Sequence, residues 1–124
     1  MKKKVIIVED DQLLTLILRK MAASIDLEVI STSKFGREAV DTILRDNPDI
    51  IFMDISLADD FNGVEVMEII RNHTRSPVIY ITGISNNRIL ENAKLTDNSY
   101  FLSKPVRVSD IENAVEYFSR TVEG

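Results

Sequence analysis

Residues 50–54 read Ile50-Ile-Phe-Met-Asp54, four apolar side chains followed by a single carboxylate. Two further runs, Val5–Val8 and Val78–Thr82, have the same apolar character. Such runs are typical of strands that are covered on both faces. Two further runs, at Leu27–Ser31 and Tyr100–Leu102, bring the number of predicted strands to five.

Helical spacing fills the intervals between these runs. Apolar residues near the carboxyl end follow the pattern i, i+3, i+4, i+7, which places them on one face of a helix. Similar apolar stripes precede the second, third, fourth and fifth strands, and the stripe before the fifth strand is the weakest. The stripes are Leu13-Leu14-Ile17-Leu18-Met21, Ala39-Val40-Ile43-Leu44, Val66-Met67-Ile70, Ile89-Leu90-Ala93 and Ile111-Ala114-Val115-Phe118.

Turn residues agree with an alternation of strands and helices. A residue before proline disfavours helical backbone, so Asn47-Pro48 and Ser76-Pro77 are expected to precede strands three and four. Ser109-Asp110 is expected to cap the last helix. The order (βα)5 predicts an α/β fold, with helices on both faces of a parallel five-stranded sheet. A length of 124 residues suits one domain, which we expect to cover residues 1–124.

Composition argues against several classes of function. The chain has no cysteine and one histidine, His73, so disulfides, cysteine-based metal or redox sites and Ser-His-Asp chemistry are not expected. No apolar run approaches the ~20 residues that cross a bilayer. The apolar run after Met1-Lys-Lys-Lys4 is too short for a signal peptide, so we expect a cytoplasmic protein with no membrane partner. A net charge of −5 argues against direct nucleic-acid binding.

Polar groups stand where the predicted strands end, which is where sheets of this kind bind their ligands. These groups are Glu9-Asp10-Asp11, Asp54, Thr82-Gly83 and Ser103-Lys104-Pro105. Neighbouring carboxylates raise one another's pKa unless a cation joins them, and oxygen ligands of this kind suit Mg²⁺. A metal ion, a lysine, a hydroxyl and an attacking carboxylate together suit phosphoryl transfer.

Each of these residues also has an ordinary structural interpretation. Acidic residues after a strand often cap a helix, and threonine is a common strand residue. Their joint occurrence at four strand ends favours a site. Other phosphate chemistries fit less well, because residues 9–14 lack the glycines of nucleotide-binding loops. Ser56 also stands where an Asp-x-Asp phosphatase would have its second aspartate.

In these motifs the chain resembles the receiver domain of two-component response regulators over residues 3–121. The matching motifs are Val8-Glu9-Asp10-Asp11, Met53-Asp54-Ile55, Gly63, Thr82-Gly83 and Ser103-Lys104-Pro105. The resemblance implies a flavodoxin-like three-layer sandwich with sheet order 2-1-3-4-5. It implies a regulatory phosphoacceptor rather than an enzyme, with intrinsic autophosphorylation and autodephosphorylation chemistry.

The resemblance also implies a phosphoacceptor and a metal site. Asp54 would take a phosphoryl group from a phosphohistidine, carried by a sensor histidine kinase or a histidine phosphotransfer protein. Glu9, Asp10, Asp54 and the main-chain carbonyl of Ser56 would hold Mg²⁺, for which Mn²⁺ could substitute. Lys104 would contact the phosphoryl oxygens, and the peptide bond that follows it would be cis.

Signal output is likewise implied by the resemblance. Thr82 would move toward the phosphoryl group and Phe101 would reorient with it. The change would reach a face made by helix 4, strand 5 and helix 5, where an unknown downstream protein, a fused output domain or a second phosphorylated copy would bind. The candidate residues on that face are Arg88, Lys94, Tyr100, Val106, Arg107 and Tyr117.

Several positions depart from the usual receiver pattern or bear on how the site works. Asp59 and Asp60 make the loop after the acceptor acidic, and we expect both to be solvated. Ile84 is hypothesised to keep water from an acyl phosphate and so to slow self-dephosphorylation. The first helix has more apolar side chains than one buried stripe needs, so one or two of Leu13, Leu14 and Leu18 could face a phosphodonor, although core packing is their expected role.

Two other functions remain open from the sequence. One is a phosphorylation-independent adaptor with a receiver fold, against which the complete set of acceptor-site residues counts. The other is a nucleotide or small-molecule binder, against which the glycine-free first turn counts. The chain is expected to be either a stand-alone receiver or the receiver of a longer protein.

Overall fold

The computed structural model describes residues 2–83 and 87–123, which form five parallel strands and five helices in alternation. The predicted (βα)5 order is therefore confirmed. β1, β2 and β5 are longer than the sequence predicted. The elements are β1 Lys3–Val8, α1 Gln12–Ser24, β2 Leu27–Ser33, α2 Gly36–Asp46, β3 Ile50–Met53, α3 Gly63–Ile70, β4 Val78–Thr82, α4 Asn87–Lys94, β5 Ser99–Ser103 and α5 Val108–Glu123.

The sheet has the order β2-β1-β3-β4-β5, which confirms the flavodoxin-like arrangement. Successive side chains of a strand point to opposite faces. In β1, Val5 and Ile7 therefore belong to one core and Ile6 and Val8 to the other. Burial on both faces explains why the central strands need continuous apolar runs.

Helices cover both faces of the sheet and complete the three layers. α1 and α5 cover one face, and α2, α3 and α4 cover the other. The stripes predicted from helical spacing supply most of this packing, with side chains that are almost fully buried. These buried helical side chains are Leu18, Ala22, Ile111, Ala114 and Phe118 on the first face, and Ala39, Ile43, Val66, Met67, Ile70 and Ala93 on the second.

Side chains fix the starts of three helices. Asp11 Oδ1 accepts hydrogen bonds from the amides of Leu13 and Leu14 at 2.9 and 3.1 Å, so this aspartate caps α1. Asn62 and Glu65 form a reciprocal capping box at α3. Ser109-Asp110 was expected to cap the last helix, but α5 begins at Val108, so neither residue is at its N-cap position. Asp110 lies in the first turn, and its Oδ2 accepts from the amide of Arg107 just before the helix.

The apolar residues of α1 do not all enter the core. Leu18 is buried, but Leu13 and Ile17 are 67% and 39% exposed. Thirteen residues of helix carry more apolar side chains than the face toward the sheet can cover. Within the described ranges, no helix is both long enough and apolar enough to cross a membrane.

Candidate functional site

Parallel pairing brings the carboxyl ends of the strands to one edge of the sheet. Val8 pairs with Met53, and the amide of Asp54 donates to the carbonyl of Val8 at 2.9 Å. On the other side, Thr82 pairs with Ser103. The residues that follow these pairs therefore surround one cleft of about 430 Å³. It is lined by Glu9, Asp10, Asp11, Asp54, Ser56, Thr82, Gly83 and Lys104.

Three carboxylates meet in this cleft. Glu9 and Asp54 are 3% and 5% exposed, whereas Asp10 is exposed at the rim. One oxygen from each lies within 4.8 Å of the others. Asp11 has a different place, because its side chain caps α1. The structural interpretation of the acidic cluster therefore applies to Asp11, and the three other carboxylates form a candidate cation site.

Lys104 supplies positive charge to the buried pair. Its Nζ donates to Asp54 Oδ2 at 3.1 Å and lies 3.2 Å from Glu9 Oε1. Partial burial disfavours the ammonium, but its hydrogen bond and its attraction to the carboxylates outweigh that effect and raise the pKa of Lys104. The ammonium therefore stays charged against two acidic groups. The Lys104-Pro105 bond is cis, as the sequence led us to expect.

Glu9 is the most perturbed of the carboxyl groups with a resolved shift. Burial raises its pKa from 4.5 to about 7, and the neighbouring Asp54 adds to the rise. The amide of Asp11, which donates to Glu9 Oε2 at 3.1 Å, and the charge of Lys104 oppose it. Glu9 Oε1 is buried and, apart from its ion pair with Lys104, makes no hydrogen bond among the described residues. Such an atom is a ready ligand for a cation or a water molecule.

The loop after β3 brings Ser56 to the rim of the cleft. Its amide donates to Asp54 Oδ1 at 3.3 Å. The chain then turns back, and the amide of Gly63 donates to the carbonyl of Ile55 at 2.8 Å. A Cβ on Gly63 would lie 2.4 Å from the carbonyl oxygen of Asp54, so only glycine permits this return. The glycine of the matching motif thus closes the loop against the acceptor strand.

The two residues expected to act as a switch lie on neighbouring strands. Thr82 is 4% exposed at the end of β4. Phe101, in β5, stacks against Tyr80 with ring centroids 5.1 Å apart. Tyr80 was not predicted as part of the site. Its hydroxyl is 2.8 Å from Thr96 Oγ1, so it joins the ring of Phe101 to the segment after α4.

Other predicted positions have mixed outcomes. Ile84 lies outside the described residues. Val106 is 8% exposed and packs in the core, so its place among the exposed output residues was wrong.

Asp59 was expected to be a solvated loop residue, but its carboxylate accepts hydrogen bonds from the amides of Gly36 and Arg37. No local pattern around residue 59 could have predicted partners that lie 23 and 22 positions away.

Fold and cleft together define the class of protein. The family model described as the response regulator receiver domain matches residues 5–116. The chain therefore belongs to the response regulator receiver domain family, whose members are regulatory proteins of two-component systems.

Individual relatives are regulators that are longer than this chain. It is 26% identical over 114 residues to the transcriptional regulatory protein PdtaR of Mycobacterium tuberculosis, covering 92% of this chain and 55% of the relative. It is 28% identical over 120 residues to the transcriptional regulatory protein KdpE of Staphylococcus aureus, covering 97% and 51%. The chain thus spans about half the length of these curated relatives.

Solved structures give the same fold. The signal receiver domain of a modulated diguanylate cyclase from Desulfovibrio desulfuricans superposes with a TM-score of 0.89 at 28% identity, with each chain fully covered. The receiver domain of a sensor histidine kinase from Pseudomonas aeruginosa superposes with a TM-score of 0.83 at 23% identity, covering 94% of this chain and 98% of that one. The latter structure is described with a magnesium ion coordinated in its active-site cleft.

Proposed function

We propose that this receiver domain is a Mg²⁺-dependent phosphoacceptor and that Asp54 carries the phosphoryl group. The observation behind this proposal is the setting of the Asp54 carboxylate. It is 5% exposed, lies 3.1 Å from Lys104 Nζ, and shares a cleft with the carboxylates of Glu9 and Asp10. A nucleophile, a fixed cation and a cation site at one strand end are the parts that phosphoryl transfer needs.

The transfer is an in-line displacement at phosphorus. An oxygen of Asp54 forms the new O–P bond, and the N–P bond to the phosphohistidine of the donor breaks. The electron pair stays on the imidazole nitrogen, and the aspartate becomes an acyl phosphate. Lys104 offsets negative charge on the phosphoryl oxygens. In dephosphorylation, water attacks phosphorus, the P–O bond to Asp54 breaks, and inorganic phosphate leaves.

The donor groups in the cleft fit Mg²⁺. They are the carboxylates of Glu9, Asp10 and Asp54 with the main-chain carbonyl of Ser56, and an all-oxygen set is what this ion prefers. The buried Glu9 Oε1 supports the assignment, because among the described residues it makes no hydrogen bond and has only the ion pair with Lys104. When bound, the ion supplies positive charge to phosphoryl oxygens. Mn²⁺ is expected to substitute, since it accepts the same ligands.

The phosphodonor is a sensor histidine kinase or a histidine phosphotransfer protein, and we assign its docking site to an apolar cleft beside the acceptor. That cleft, of about 490 Å³, lies between α1 and the segment after β5. Leu13, Ile17 and Pro105 line it, and Lys104 lines both clefts. Leu13→Asp should slow transfer from a phosphohistidine protein and leave phosphorylation by acetyl phosphate unchanged.

The output surface is assigned to α4, β5 and α5. Phosphorylation would draw Thr82 toward the phosphoryl group and change the packing of Phe101 on Tyr80. The rings of Tyr100 and Tyr117 pack against each other on this face, with their centroids 5.2 Å apart, and both residues are partly exposed. A downstream protein, a fused output domain or a second phosphorylated copy would bind here.

Covalent modification tests the proposal. The chain is incubated with acetyl phosphate and Mg²⁺, and its intact mass is measured beside an Asp54→Asn variant and a sample containing EDTA. One phosphoryl adduct is expected on the unchanged chain only, and only with the metal ion. The absence of an adduct would favour a phosphorylation-independent adaptor.

A further inference from the structure

The loop between β3 and α3, residues 54–62, begins with the phosphoacceptor and has both buried and exposed residues. Ile55 and Leu57 are its buried apolar anchors, at 0% and 9% exposure, whereas Ser56, Ala58 and Asp60 are exposed. Packing alone therefore holds this loop at few points. The polar contacts that fix the rest of it run to a different part of the chain, at the start of α2.

Asp59 makes the central contact. Its Oδ1 accepts from the amide of Gly36 at 2.9 Å, and its Oδ2 accepts from the amide of Arg37 at 3.2 Å. These amides belong to the first turn of α2, where backbone donors have no partner inside the helix. Phe35, at the N-cap position, makes no capping hydrogen bond with its side chain. Asp59 therefore caps α2 from another loop.

Three neighbouring contacts reinforce this attachment. The amide of Ala58 donates to the carbonyl of Lys34 at 3.2 Å. The guanidinium carbon of Arg37 lies 5.3 Å from the ring centre of Phe61. A Cβ on Gly36 would lie 2.1 Å from the carbonyl oxygen of Phe61, so the glycine allows the two segments to touch. The loop is thus fastened to the start of α2.

We propose that Asp59 is a positioning residue, whose cap on α2 fixes the loop so that the Ser56 carbonyl meets the metal ion. This inference rests on the proposed function, because Ser56 is assigned there as a metal ligand. Ser56 lies three positions before Asp59, and between them only Leu57 is buried. Without the cap the loop is less ordered before Mg²⁺ binds. Part of the binding free energy is then used to order the loop, so the affinity for the ion falls. By linkage, bound Mg²⁺ strengthens the cap and slows exchange of the Gly36 and Arg37 amides.

Asp60 provides a matched control for this residue. It carries the same charge at the next position, its side chain is 92% exposed, and its ion pair with Arg37 is long, at 3.9 Å. Replacing either aspartate removes one negative charge from the same loop. A difference between them therefore reports the cap and not the electrostatic field.

The experiment measures Mg²⁺ affinity by calorimetry and amide exchange by NMR for Asp59→Ala, Asp59→Asn, Asp60→Ala and the unchanged chain. Asp59→Ala should weaken Mg²⁺ binding roughly ten-fold, as loss of a supporting contact does at other metal sites. Asp59→Asn has the same charge as Asp59→Ala but keeps one hydrogen-bond acceptor, so it should recover most of the lost Mg²⁺ affinity. Asp60→Ala should change affinity by about two-fold or less, because an exposed charge is screened. Mg²⁺ should slow exchange at Gly36 in the unchanged chain but not in Asp59→Ala.

Equal losses in Asp59→Ala and Asp60→Ala would overturn the inference, because charge alone would then explain them. Unchanged Mg²⁺ affinity in both Asp59 variants would also overturn it, and the cap would then be a local stabiliser of α2. If Asp59→Ala does not fold, amide exchange in the unchanged chain decides, because Mg²⁺ that leaves exchange at Gly36 and Arg37 unaltered would overturn the inference. Failure of the unchanged chain to bind Mg²⁺ would overturn the proposed metal site and the inference together, whereas the other results would leave that site intact.

Discussion

The Nζ atom of Lys104 lies 3.1 Å from Oδ2 of Asp54, although the two residues are 50 positions apart in the chain. The contact exists because β3 and β5, on either side of β4, end at the same edge of the sheet. It neutralises a buried carboxylate and, in the proposed mechanism, gives the phosphoryl oxygens a fixed cation. The predictions below begin with this pair.

Lys104→Met should slow phosphorylation by acetyl phosphate about 100-fold, because it removes a donor aimed at developing negative charge. It should also destabilise the metal-free protein, since two buried carboxylates lose their cation. Mass spectrometry over time measures the rate, and urea unfolding measures stability. Lys94→Met is the control, because Lys94 is exposed at the end of α4. Equal rates for the two variants would contradict the assigned role of Lys104.

Glu9→Gln should change how stability depends on pH. Below pH 4.5 the carboxyl is protonated in both the folded and the unfolded chain, and its pKa rises to about 7 on folding. As pH rises between these values the unfolded chain loses its proton first, so folding loses stability, and the loss is complete above pH 7. Glu9→Gln removes this loss.

Relative to the unchanged chain, Glu9→Gln should therefore gain about 2–3 kcal/mol of unfolding free energy between pH 5 and pH 8 in EDTA. Urea unfolding at the two pH values measures the gain, with Glu28→Gln as an exposed control. Mg²⁺ should reduce the gain, because the ion stabilises the ionised Glu9. If Glu9→Gln changed the free energy of unfolding by the same amount at both pH values, burial would not perturb the pKa of this carboxyl.

Tyr80→Phe should lower the free energy of unfolding by about 1 kcal/mol, the usual cost of one lost hydrogen bond, here the one to Thr96.

Burial also raises the pKa of Tyr80 to about 12, so ultraviolet titration should find one tyrosine that resists ionisation until pH 12. That tyrosine should be missing from Tyr80→Phe. Tyr117→Phe, at a 42% exposed residue, should retain it. Three tyrosines that all ionise by pH 11 would contradict the buried hydroxyl.

Gly36→Ala and Gly83→Ala form a second matched pair. A Cβ at residue 36 would lie 2.1 Å from a backbone oxygen, whereas a Cβ at residue 83 would lie 3.8 Å from Lys104 Cδ, its nearest contact among the described residues outside the adjoining positions. Gly36→Ala should therefore cost more than about 2 kcal/mol, because the backbone must move. Gly83→Ala should cost less than about 1 kcal/mol. Thermal unfolding compares the two, and similar losses would contradict the close approach of the loop to α2.

The fold was predictable because each strand and helix is marked by an apolar pattern within its own short stretch of sequence. Continuous apolar runs marked the central strands and helical apolar spacing marked the helices, and right-handed parallel connections then brought Glu9, Asp54 and Lys104 to one edge. The contacts of Asp59 with Gly36 and of Tyr80 with Thr96 were not predictable, because each depends on how two separate segments pack. The sequence also did not show which leucine of α1 is exposed, since spacing alone does not say how much of a helix the sheet covers.

Reductive trapping tests the central claim most directly. The chain is treated with acetyl phosphate and Mg²⁺, the acyl phosphate is reduced with borohydride, and the peptides are sequenced by mass spectrometry. We predict homoserine in place of aspartate at position 54, in samples that received both the donor and the metal ion. Homoserine at another position, such as Asp10 or Asp59, or its absence from every peptide, would contradict the assignment of Asp54 as the phosphoacceptor.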